Sequence, residues 1–67
     1  MDRYYVIHER GRAYHQVNAH SLEDVRWYAE RKFGLRNPRI TDSYQAVKHL
    51  RFTGIAEVPL NASGRAL

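Results

Sequence analysis

Near its start the chain carries a cluster that could do acid–base chemistry: His8, Glu9, Arg12 and His15, gathered around Gly11. Two imidazoles, or an imidazole and a carboxylate, can serve as general acid and base in RNA cleavage, with an arginine to hold the phosphorane. Two imidazoles on one sheet face can also hold a zinc ion. Each reading lacks a part. If the segment is extended, alternation points Glu9 away from the face of His8. No third or fourth metal ligand stands at a recognisable spacing, and no His-x-x-x-His pair lies on a helical stretch. Nucleophile elbows, phosphate loops and dinucleotide fingerprints are absent. The expectation is a chain with no catalytic residues, no metal and no cofactor. A small ribonuclease using His8 and His15 stands as an alternative.

The arginines and aromatics suggest other chemistry. The formal charge is +4, and most of the 11 basic residues are arginine. From Arg31 to Arg51 the bases Arg31, Lys32, Arg36, Arg39, Lys48 and Arg51 meet one acid, Asp42; Glu23, Asp24 and Glu30 come earlier. Guanidinium groups pair with phosphates and aromatic faces stack on bases, so Arg10, Arg12 and Tyr14 form a candidate nucleic-acid or secondary binding group. Trp27, Arg31, Lys32, Arg36 and Arg39 form a candidate partner-binding group, with Trp27 as an apolar anchor. Ordinary solubility charge is the competing explanation for the bias.

Local elements must position these groups. RYYVIHE (3–9) and AYHQVNA (13–19) are rich in aromatic and β-branched residues and read as paired strands around Gly11. A two-residue Gly11-Arg12 turn would set Val6 against Val17 and His8 against His15. A three-residue loop would set Ile7 against His15 and Tyr5 against Val17. The helix is written into SLEDVRWYAERKFG: Ser21 as N-cap with Asp24 three residues on, acids at the first turn, Arg31 and Lys32 at the last, and Gly34 as C′ residue before Asn37-Pro38. Leu22, Val25, Ala29 and Phe33 fall within about 80° of one another on this helix, and Trp27 lies about 160° from their centre. Arg31, one turn on, can lie along the indole. Arg39 to Thr41 looks extended. DSYQAVKHL (42–50) fits a strand or a short helix capped by Asp42, with the strand favoured because two strands are a poor platform for a helix. RFTGIAEV (51–58) reads as a strand with a bulge at Gly54, ended by Pro59.

The order strand, strand, helix, strand, strand predicts an α+β fold: a small antiparallel sheet with one main helix packed on one face. At 67 residues there is room for one small core, with residues 1–60 as the domain and 61–67 as a flexible polar tail. There is no cysteine for a disulfide or thiolate site, which suits a cytoplasmic location. No apolar run is long enough to span a membrane, and the start lacks the apolar core of a signal peptide.

A basic, cysteine-free chain with a hairpin, an Ala19-His20-Ser21-Leu22 helix entry and two further strands resembles some small phage-encoded anti-CRISPR proteins over residues 3–58. The resemblance is one of layout, size and charge. It implies a non-enzymatic inhibitor that occupies a host nucleoprotein complex in the host cytoplasm, with Arg31, Lys32, Arg36 and Arg39 mimicking or blocking a nucleic-acid contact. A helix backed by a small sheet also resembles the arm-binding domains of phage integrases, which implies direct DNA binding. The expected partners are therefore a nucleoprotein complex or nucleic acid, with the chain acting as a monomer or a homodimer.

Overall fold

The computed structural model describes residues 1–59. Its strands are β1 (Asp2–His8), β2 (Ala13–Ala19), β3 (Arg39–Thr41) and β4 (Arg51–Glu57), with one helix, α1 (Leu22–Phe33), between β2 and β3. The strands form one sheet in the order β3-β1-β2-β4, and α1 packs on one face. The α+β architecture is the expected one. The sheet is mixed rather than wholly antiparallel, because β4 runs parallel to β2 while β1 is antiparallel to both β2 and β3. Parallel strands need a crossover, and there are two. Helix α1 carries the chain from β2 over β1 to the far edge at β3. Residues 42–50 then return it across the opposite face to the other edge at β4.

The β1–β2 connection is shifted from both expected forms. Its central pair is Arg10-Gly11, with Arg10 at φ 58°, ψ 36° and Gly11 at φ 85°. The Arg12 N–H donates to the Glu9 carbonyl at 3.2 Å. This is close to a type I′ turn, in which the second central place favours glycine. Val6 consequently faces His15, Tyr4 faces Val17 and His8 faces Ala13. The pairing slides by two residues from the Gly11-Arg12 turn, so the faces are unchanged. His8 and His15 stay on one face but become diagonal neighbours instead of direct ones.

Helix α1 begins and ends as its sequence dictates. Ser21 Oγ accepts from the Asp24 N–H at 3.2 Å, and Gly34 adopts φ 63° beyond the last turn. Val25 and Ala29 are fully buried, and with Val6, Val17, Ala19 and Val58 they form the main core; Tyr28, Phe33, Leu35 and Ile40 pack around it. Leu22 departs from expectation. It shares the angular sector of Val25 but sits in the first turn, at the end of the contact with the sheet, and remains 44% exposed. Residues 42–50 form neither a full strand nor an α-helix. They hold one 3₁₀ turn, Tyr44–Ala46, preceded by Ser43, not Asp42, at the cap position. This segment drops Val47 into a second cluster with Tyr5 and Tyr14, flanked by Ile7 and Leu50. The favoured strand does not form, because Val47 and Leu50 pack onto the sheet face instead of joining its edge ladder. The residues expected to form a tail lie outside the described range.

Candidate anion-binding groove

Where β1 ends and β3 begins, the turn and the α1–β3 connection enclose an open groove of about 280 Å³. Its lining comes from the end of β1 and the turn (Ile7, His8, Arg10 and Gly11) and from the α1–β3 connection and the start of β3 (Arg36, Asn37 and Arg39). The Arg39 guanidinium reaches the turn: a Cβ placed on Gly11 would lie 3.8 Å from its Nη1. The backbone here is unusual. Glu9, Arg10 and Asn37, the non-glycine residues with positive φ among the described residues, all line this groove. A left-handed conformation costs an L-residue roughly 1–2 kcal/mol, and such outliers cluster at ligand sites. The cap at Gly34 turns the chain back, left-handed Asn37 turns it again, and Pro38 delivers Arg39 to the edge of the sheet.

Electrostatics leave the groove positive. The carboxylate in it, Glu9, is held by Arg51, whose Nη2 lies 2.6 Å from Oε1 and also contacts Oε2. That pair ties the turn to the start of β4. Among the described residues, no carboxylate forms an ion pair with Arg10, Arg36 or Arg39. Three arginines lining one small groove can take an anion such as a phosphate, with forked N–H pairs on its oxygens.

No protein-family model, curated protein or solved structure matches this chain.

Beneath the groove lies a polar knot. The Thr53 hydroxyl donates its single proton to the Tyr14 carbonyl at 2.8 Å. His8 Nε2, at 3.1 Å, and His15 Nδ1, at 3.0 Å, then both donate to the same Thr53 oxygen, which assigns a proton to each of those nitrogens. Phe33 stacks flat on His8, with ring centroids 4.4 Å apart, and meets His15 edge-on at 5.5 Å. Burial, followed by the nearby His8 and Lys32, pushes the His15 imidazole below the ordinary histidine range. The bulge expected at Gly54 is present, and at φ 138° it allows His15 to close in: a Cβ there would stand 3.0 Å from His15 Cε1. The two rings thus serve to hold β1, β2 and β4 together. Among the described residues, no group of three or more His, Cys, Asp or Glu side chains could hold a metal ion.

The remaining candidate residues are dispersed. Arg31 stacks over the Trp27 ring at 5.0 Å, as its spacing suggested, but Trp27 is half-buried and lies apart from the groove. Lys32 is exposed near His15. Arg12 is exposed at the turn, and its carbonyl accepts the Arg51 N–H at 3.1 Å. Tyr14 is a correction. It is only 7% exposed, because Val47 and Tyr5 cover it on the face opposite α1, so its ring cannot stack on a base. The partly exposed aromatics on that face are Tyr44 and Phe52. Two further contributors, Asn37 and Thr53, gave no signal in sequence. A left-handed asparagine before proline looks like any loop residue, and Thr53 gains its role only when β4 lies beside β2.

Proposed function

We propose that the chain is a non-enzymatic binding protein that holds a phosphate backbone in the Arg10/Arg36/Arg39 groove. In this reading it acts as an inhibitor of the anti-CRISPR kind, and the phosphates belong to nucleic acid held in a nucleoprotein complex. The observation that carries the reading is one groove lined by three arginines that form no ion pair among the described residues, on a backbone with three left-handed non-glycine residues. Arginines far apart in sequence converge there, which solubility charge alone would not require. The histidines support binding more than cleavage, because their inward nitrogens are spent on Thr53.

Fluorescence anisotropy with labelled single- and double-stranded oligonucleotides tests the groove. Affinity should fall with salt, and Arg10→Ala/Arg36→Ala/Arg39→Ala should reduce the slope of log K against log[salt] by about 2–3 if each arginine meets one phosphate. Absence of binding at low salt, or an unchanged slope in the triple variant, would reject direct phosphate recognition. A second reading rests on Trp27: with Arg31 across its ring, it offers an amphipathic anchor for a protein partner. Capture of a nucleoprotein complex that is lost with Trp27→Ala but retained by the triple arginine variant would favour that surface over the groove.

A further inference from the structure

The sheet's two edges differ. The β3 edge is three residues long, starts with Arg39 and is preceded by Pro38, features that discourage pairing with another strand. The β4 edge is seven residues long and, among the described residues, pairs with β2 on one side and no strand on the other. Its charges stand only at its ends, Arg51 and Glu57. Between them, Phe52 is 51% and Ile55 59% exposed. Both lie on the face opposite α1, since Phe52 pairs with Tyr14 and Ile55 with Gln16. They share that face despite their odd spacing because the bulge at Thr53-Gly54 adds one residue between them.

We propose that β4 pairs antiparallel with β4 of a second copy, about a two-fold axis normal to the sheet between Thr53 and Gly54. Phe52 then lies opposite Ile55 of the second copy, and Ile55 opposite its Phe52. Such an axis preserves faces, so both pairs form on the side away from α1, where each half-exposed ring meets an exposed aliphatic group. Arg51 falls opposite Ala56 of the second copy, one step from its Glu57, so each basic end meets an acidic one. The bulge decides in favour of an identical partner. A regularly pleated strand would fall out of phase across Thr53-Gly54, whereas a second β4 carries the same extra residue at the same place. Pro59, lacking an N–H, ends the ladder beyond Val58.

Two measurements on the full chain test this. Sedimentation at concentrations up to about 100 μM should show a dimer for the natural sequence and a monomer for Ile55→Lys, whose circular dichroism should be unchanged because the position is exposed. The chain has no cysteine, so engineered thiols report cleanly. An oxidised mixture of Phe52→Cys and Ile55→Cys proteins should yield the mixed disulfide well above either homodimer, because only that pair lies directly opposite. A natural chain that stays monomeric over that range would overturn the proposal. So would a dimer that survives Ile55→Lys, or Phe52→Cys cross-linking to itself as readily as to Ile55→Cys.

Discussion

Beneath α1, polar side chains are partly or fully buried and paired; on the opposite face Tyr5 and Tyr14 are buried, but Tyr44 and Phe52 stay half in water. The helix face holds a dry set of valines and alanines at one end and, at the groove end, a threonine hydroxyl shared by two imidazoles. The other face is covered by a crossover with one 3₁₀ turn, where Val47 alone is fully buried over Tyr5 and Tyr14. A 12-residue helix is about 18 Å long and can cover a sheet from end to end. The crossover covers the centre and leaves Tyr44, Phe52 and Ile55 at the margin. Stability is thus concentrated on one side and available apolar surface on the other.

The sharpest way to break that division is Thr53→Val. The change keeps shape but leaves the His8 and His15 N–H groups without an acceptor, at roughly 1–3 kcal/mol each, so urea unfolding should show a loss of about 2–6 kcal/mol. Deleting core methyls compares the two faces directly. Val25→Ala, within the larger cluster, should cost about 2 kcal/mol, and Val47→Ala about 1–2 kcal/mol because the thinner cover can relax. The Val47 change should also raise tyrosine exposure to quenchers, which Val25→Ala should not.

A smaller effect is expected from pH. The folded-state pKa of His15 lies below its unfolded value, so the unfolded chain binds more protons in the interval between them. The stabilisation is complete above about pH 6.5 and is lost as pH falls through the depressed value. Urea midpoints should therefore drop on acidification, and His15→Asn should flatten that dependence. The smallest change should be Leu22→Ala. With 44% of the side chain already exposed, it should cost no more than about 1 kcal/mol, well below Val25→Ala.

Much of the fold is legible along the chain because its signals are local. Ser21, Gly34 and Pro38 bound the helix through hydrogen bonds and backbone angles a few residues apart, and the 100° period names Val25 and Ala29 as core. That same period places Leu22 in the core wrongly, since it says nothing of where the underlying sheet stops. The turn's position is ambiguous by one residue along the chain, because Gly11 fits the first place of one turn type and the second of its alternative. Residues 42–50 resisted assignment because a crossover is defined by the two edges it joins, and neither edge is written in its own pattern. Of the candidate site, the arginines are evident as residue types, but sequence distance splits them into two groups; the burial of Tyr14 is not legible because nothing local announces Val47 above it.

The sequence by itself determined the helix with its caps, the segments of β1, β2 and β4, the excess of basic charge and the stacking of Arg31 on Trp27, each set by neighbours within one turn or one hairpin. Only the tertiary structure decided that β4 would run beside β2, and with it the knot of His8, His15 and Thr53. It also decided that Arg10 would line the same groove as Arg36 and Arg39. Those groupings join residues more than 20 positions apart, and which of them form depends on how two crossovers divide the faces of a single sheet. No short-range preference encodes that division.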